Sequence, residues 1–183
     1  MKAAAARVPV PARGSASDGR ARVSRARAGD GAIHSINISR KKGIPKTPVA
    51  SAELVPGEGI RDDAHRGAGR RQVSLLMFES IEEQRALAGG AKRERAAGIA
   101  IVPGVFAENL TTRGIDLTGL RIGDKLIIGD GRVRLRVTQL GKECPAPCAI
   151  FRLAGDCVMP RRGVFCEVLE GGRIRTGDRI ERR

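Results

Sequence analysis

Between Leu126 and Leu140 the chain spells out a β-hairpin. Leu126-Ile127-Ile128 is a short apolar run and Gly129-Asp130-Gly131 is a tight turn. Val133, Leu135 and Val137 then alternate with Arg132, Arg134 and Arg136. A period of two puts the aliphatic side chains on one face and the arginines on the other. The same pattern recurs. His34, Ile36 and Ile38 alternate with Ser35, Asn37 and Ser39, and Ala50, Ala52 and Leu54 alternate again. Val73–Met77 and Val164–Leu169 read as short strands, and several more follow Pro103-Gly104. Gly171-Gly172 reads as a turn and Ile174–Ile180 as the closing strand. Phe78–Ala88 suits a helix ended by Gly89-Gly90, with Phe78, Ile81 and Arg85 near one face, and Pro147–Ala154 a shorter one. Many short strands with few helices predict a mainly β fold, a β-barrel with helical decorations.

The 183 residues suit one domain with its own core over 31–183. Residues 1–30 are mostly Ala, Arg, Gly, Ser and Pro with three valines, too little apolar area to offset the entropy of ordering. They predict a disordered basic tail. An Arg- and Ser-rich transit peptide is the other reading, which Asp18 and Asp30 oppose. The net charge of +14 favours anionic partners such as phosphorylated small molecules, nucleic acid or acidic lipid. With no Trp or Tyr and four Phe, the chain lacks the rings on which single strands stack. No apolar run reaches the ~20 residues of a membrane helix, and no secretory signal is apparent. A cytoplasmic, reducing setting with free thiols is expected. Gly123-Asp124-Lys125-Leu126 and Gly177-Asp178-Arg179-Ile180 repeat one pattern, read as turn chemistry.

All four cysteines fall between positions 144 and 166, as Cys144-Pro-Ala-Pro-Cys148, Cys157 and Cys166. Zinc usually takes paired short knuckles, and gaps of three, eight and eight residues do not supply them. A Cys144–Cys148 disulfide would close a tight loop holding two prolines. A reactive thiolate at the end of a barrel strand is a third reading, since Lys142, Arg152, Arg161 and Arg162 lie near in sequence and cations lower a thiol pKa. Spacing alone leaves reactive thiol, metal ligand and packing cysteine open. Pro56–Arg70 reads as a long exposed loop containing Arg61, His65 and Arg66, with Arg70-Arg71 after it. Guanidinium forks suit phosphate and a histidine can transfer a proton, but a solvated charged loop explains the same residues. Glu108-Asn109 beside a strand could bind ligand or tie down a turn.

Together these segments resemble the MOSC family, the domain named after the C-terminal part of molybdenum-cofactor sulfurases. The resemblance is carried by Ile36-Asn37-Ile38-Ser39 with its Lys-Lys-Gly loop, Asp63-Ala64-His65 and Arg71-Gln72-Val73-Ser74-Leu75-Leu76. It continues through Phe106-Ala107-Glu108-Asn109-Leu110-Thr111, Gly141-Lys142-Glu143-Cys144, Cys148-Ala149-Ile150, Gly155-Asp156-Cys157-Val158-Met159-Pro160 and Gly163-Val164-Phe165. Their order and spacing are most similar to the short stand-alone bacterial members. Cys166, where a small residue is more usual, and Arg70, where a histidine often stands, depart from the pattern.

The resemblance implies a twisted, mostly antiparallel β-barrel with a few short helices. It implies a protein of molybdenum cofactor metabolism that binds molybdopterin or carries sulfur as a cysteine persulfide. On that reading Cys144 is the persulfide carrier or metal ligand, and Cys148 and Cys157 resolve it or share the sulfur. Arg71, with Arg61 or Arg66, would hold the cofactor phosphate. His65 and Glu108, beside Asn109, would orient ligand or shuttle a proton. A cysteine desulfurase is the kind of sulfur donor implied. Pyridoxal phosphate is not expected, since nothing resembles its lysine site. A molybdenum-dependent reductase of N-hydroxylated compounds is the enzymatic variant. A nucleic-acid-binding barrel with Arg132, Arg134 and Arg136 as its phosphate track is one rival, and a zinc-stabilised structural protein is another.

Overall fold

A computed structural model describes residues 30–87 and 89–183. The expected basic tail lies outside that range, apart from Asp30, whose carboxylate accepts from Arg179. The elements run β1 (Gly31–Ile38), β2 (Thr47–Val49), β3 (Ser51–Val55), β4 (Gly59–Ile60), β5 (Val73–Met77), α1 (Phe78–Leu87) and α2 (Gly90–Ala97). They continue with β6 (Leu110–Arg113), β7 (Lys125–Ile128), β8 (Val133–Leu140), α3 (Ala149–Ala154), α4 (Met159–Arg162), β9 (Val164–Glu170), β10 (Gly172–Arg175) and β11 (Arg179–Arg182).

The alternation in β8 does what a period of two requires. Val133, Leu135 and Val137 are buried, and Arg132, Arg134 and Arg136 are exposed. The sheet runs β11-β7-β8-β9-β5-β6-β1, and β1 pairs back to β11 through Gly31 and Ala32. This closes a seven-stranded barrel. Closure removes the sheet edges that would otherwise offer unpaired backbone groups. The barrel pairs are antiparallel except β5 with β6, which are parallel. β10, β3 and β4 form a small second sheet.

Neighbouring residues on the strands feed two different cores. Leu75, Val164 and Cys166 point into the barrel with Ile33, Ile36 and Leu135. Leu76 and Phe165 point the other way, into an outer layer with Ile81, Phe106, Ile150, Cys157 and Met159. Fully burying such a side chain contributes roughly 1.5–3 kcal/mol. That outer layer is what fastens α3, α4 and the cysteine-bearing loops to the barrel wall.

The structure departs from the sequence reading at several points. The closing strand expected over Ile174–Ile180 is two strands, β10 in the small sheet and β11 in the barrel, parted by a turn at Thr176-Gly177. Asp178 makes that turn by accepting from the Arg175 N–H at 2.7 Å, and Asp124 accepts from the Arg121 N–H at 2.9 Å in the matching place. The repeated Gly-Asp motif is thus the same turn made twice. Gly89-Gly90 ends α1 as expected, but a second helix, α2, begins there. Its Glu94 binds Arg85 of α1 at 2.9 Å and the Ile101 N–H at 2.8 Å. The Pro56–Arg70 segment is not simply exposed. It contains β4, with Ile60 fully buried, and a buried Asp63.

On the outer face of β8, Arg134 lies 3.2 Å from Glu170, and Arg136 pairs with Glu167. Two of the three arginines in the proposed phosphate track are therefore matched by carboxylates on β9. Among the described residues, no helix is long and apolar enough to cross a membrane.

Candidate functional site

Where β8 ends, Gly141 turns the chain with a φ of +66°, and a Cβ there would lie 2.4 Å from the Pro160 carbonyl oxygen. The Gly141 N–H donates to the Gly163 carbonyl at 2.7 Å, which ties this turn to the start of β9. The tie fixes where the following loop, Lys142–Cys148, leaves the barrel. The loop bends at Pro145-Ala146 and runs into α3. It walls a pocket of about 790 Å³, within the usual size range of small-molecule sites.

Cys144, Cys148 and Cys157 all line this pocket. Their burial is graded: Cys144 is exposed, Cys148 intermediate and Cys157 buried. Cys148 is the N-cap of α3, yet its side chain makes no capping bond to that helix. Burial pushes the Cys157 thiol up, reinforced by Cys148 and Cys144 and opposed by the Met159 N–H and Lys142. Cys166 is elsewhere, fully buried in the barrel core, where desolvation raises its thiol far above the ordinary range. It serves as a packing residue of the barrel core.

Arg70, Arg71 and Lys142 line the same pocket. Arg71 is held in place from two sides. Its Nε donates to Gln139 Oε1 at 2.8 Å, and its guanidinium lies 5.6 Å from the centre of the Phe165 ring. Gln139 in turn donates to the Gly141 carbonyl at 2.8 Å. Arg161, by contrast, does not line the pocket and is engaged by Asp156 at 2.7 Å and Gln84 at 3.0 Å.

The other expected site residues fall outside this pocket. Arg66 pairs with Glu58 and helps line a smaller hollow of about 290 Å³, beside Arg40 and Asp62. Arg61 is exposed and lines neither. His65 is half-buried, its Nδ1 3.2 Å from both Asp63 Oδ1 and Lys46 Nζ. Lys46 was not singled out in the sequence. Its Nζ donates to both Asp63 oxygens, at 2.7 and 2.6 Å, with both side chains 1% exposed. Burial pulls the Lys46 pKa down, only partly offset by Asp63. Burial pushes Asp63 up, but hydrogen bonds from His65 and Lys46 overcome this and hold it well below the ordinary carboxylate range.

Glu108 and Asn109 are fully enclosed. Asn109 Oδ1 accepts from the Ser74 N–H and hydroxyl, at 3.2 and 3.0 Å, and so ties β6 to β5. Glu108 Oε1 accepts from the Gly104 N–H at 2.5 Å and the Thr111 hydroxyl at 2.9 Å, while Oε2 has no hydrogen-bond partner. Desolvation raises the Glu108 pKa to about 7, against the pull of those donors. These two residues order a buried turn and do not face the thiols.

Among the described residues, no three His, Cys, Asp or Glu side chains form a group that could hold a metal ion.

The family model for the MOSC domain matches residues 62–181, which span β5, the cysteine loops and the barrel's last strand. The chain belongs to the MOSC domain family. MOSC domains are associated with molybdenum-cofactor-related functions. The fold is similar to that of YuaD from Bacillus subtilis, at 23% identity and TM-score 0.68, covering 84% of this chain and 95% of that one. It is also similar to YiiM from Geobacillus stearothermophilus, at 22% identity and TM-score 0.57, covering 84% and 75%. For YiiM from Escherichia coli the values are 15%, 0.60, 84% and 69%. At such identities the likeness establishes the shared barrel only. No curated protein matches the chain in sequence.

Proposed function

We propose that this MOSC domain is a sulfur-carrier or molybdenum-cofactor-binding protein whose working group is the Cys144 thiol. The observation that carries this reading is the pocket itself, where an exposed thiol stands beside two further thiols and the cations Arg70, Arg71 and Lys142. A sulfur-accepting site needs an accessible cysteine, and Cys144 is the exposed thiol of the three. Loading balances as thiol exchange. The Cys144 thiolate attacks the outer sulfur of a donor's persulfide, becomes Cys144–S–SH after proton uptake, and releases the donor cysteine as a thiolate. No net oxidation occurs, and a cysteine desulfurase is the class of donor that supplies such a persulfide.

The donor set also fits molybdopterin. Arg70 and Arg71 offer planar forks for a phosphate, Lys142 adds a charge, and Cys144 offers one thiolate. When bound, that group would supply a molybdenum centre held by sulfur. The chain's part is to orient it, with Arg71 fixed by Gln139 and Phe165 so that little side-chain freedom is lost on binding. Arg61, Arg66, His65, Glu108 and Asn109 are not needed for this reading.

Intact-protein mass spectrometry with elemental analysis tests it, on protein supplied with a persulfide donor or with molybdopterin and run beside Cys144→Ser. The parent is expected to gain a sulfur atom or retain molybdenum, and the variant neither. Equal loading of parent and variant would remove Cys144 from the role, and a parent that takes up neither would refute the reading.

A further inference from the structure

The pocket has a built-in order that the loading step does not use. Cys144 is exposed at the mouth, and Cys148 lies four residues on, across the Pro145-Ala146 bend. Both residues line one pocket, and the Cys148 thiol is not engaged in capping α3. Pro145 and Pro147 have fixed φ and no N–H, so the loop between the thiols has few conformations. Cys157 differs in kind. It is 8% exposed and belongs to the outer apolar layer, whereas Cys148 only packs against that layer's edge.

We propose that Cys148 is the resolving thiol of this pocket, so that the protein discharges a Cys144 persulfide as sulfide and is left with a Cys144–Cys148 disulfide. The inference rests on Cys144 being the sulfur acceptor. The Cys148 thiolate, its proton given to solvent, attacks the inner sulfur of Cys144–S–SH. The bond between Cys144 and the outer sulfur breaks, and hydrosulfide leaves. The outer sulfur is reduced to sulfide while the two cysteine sulfurs are oxidised to a disulfide. A dithiol reductant, the one co-reactant required, then restores both thiols by exchange. A five-residue Cys-Pro-Ala-Pro-Cys segment suits this role, because a stiff loop holds the resolver near the persulfide without ordering cost at the moment of reaction.

The test uses the full chain, reduced and held without oxygen, treated with an equimolar small-thiol persulfide such as glutathione persulfide. Free sulfide is assayed and the protein is mapped by intact and peptide mass spectrometry. The parent is expected to release sulfide, to end lighter by two hydrogens and to show Cys144 linked to Cys148. Cys148→Ser is expected to lose sulfide release and to accumulate a product one sulfur heavier at Cys144. Sulfide release undiminished in Cys148→Ser, or abolished instead by Cys157→Ser with a Cys144–Cys157 link, overturns the assignment. A parent that accumulates a stable Cys144 persulfide and no disulfide also overturns it, yet leaves Cys144 as the carrier. No sulfur on Cys144 in either protein refutes the carrier reading itself. A far-ultraviolet circular dichroism match between the reduced variants and the reduced parent shows that each result comes from folded protein.

Discussion

Lys46→Met is expected to cost the fold about 3–5 kcal/mol, the usual effect of removing one member of a buried ion pair. The Lys46 ammonium and the Asp63 carboxylate are both 1% exposed and meet at 2.6 Å. Without the lysine, Asp63 keeps the Ser39 N–H at 3.0 Å and the His65 N–H at 2.9 Å but loses its opposing charge. The backbone at this position, which methionine keeps, holds the loop as well. The Lys46 N–H donates to the Gly104 carbonyl at 2.8 Å, and Gly104 sits so close that a Cβ would lie 2.4 Å from the Lys46 carbonyl oxygen. Lys46 thus pins the 39–46 loop to both Asp63 and the turn before β6. A Lys46→Met, Asp63→Leu double variant should recover part of the loss, because no carboxylate is then stranded, but not the bonds to Ser39 and His65. Urea denaturation of the three proteins measures both quantities. A single-variant cost under about 1 kcal/mol, the range of exposed pairs, would show that the pair is not buried in solution. Asp63 also gives the effect a pH sense. Its pKa is depressed in the fold, so its contribution is complete above the ordinary carboxylate range and is lost as pH falls below it.

The barrel was legible because its strands carry strict local signals. Val133–Leu140 and Val73–Met77 coincide with β8 and β5, and Phe78–Ala88 gives α1. What failed to show was structure set by tertiary partners. The α2 sequence Gly-Ala-Lys-Arg-Glu-Arg-Ala-Ala has good helix formers but no apolar stripe to mark it. Ile174–Ile180 alternates across a turn that moves the chain between two sheets, and only Gly177-Asp178, matched to Gly123-Asp124, announced it.

The site divides along the same line. Of the four cysteines that cluster in sequence, Cys144, Cys148 and Cys157 line one pocket, while Cys166 turns into the barrel core. Arg71 was found, but its supports were not. Gln139 occupies an inward position by the period of β8, and a polar residue there marks where the strand leaves the core, with its register shifting between Val137 and Gln139. His65, Glu108 and Asn109 are polar residues near strands, which sequence cannot separate from ligand-binding ones. In the fold Asn109 and Glu108 accept hydrogen bonds from buried groups and His65 lies beside the buried Asp63. Lys46 carried no mark at all, following Lys41 and Lys42, which are exposed.

Glu108 leads to the second large effect, a fall in stability as pH rises through the neutral range. Desolvation raises its pKa in the fold to about 7, from an ordinary 4.5. Between those values the folded chain binds more protons at this residue than the unfolded chain does. Stability is therefore complete below about pH 4.5 and is lost as pH rises to about 7, by roughly 3 kcal/mol in all. Glu108→Gln should abolish this slope. The amide oxygen can still accept from the Gly104 N–H and the Thr111 hydroxyl, as Oε1 does now. The amide nitrogen takes the place of Oε2, which has no hydrogen-bond partner to lose. The variant should match the parent near pH 4.5 and exceed it in stability at pH 8. Subtracting the two pH profiles, each from urea midpoints, cancels every other titrating group they share. A difference that stays flat from pH 4.5 to 8 would mean that Glu108 ionises normally in the fold, and that water reaches the turn between Gly104 and Thr111.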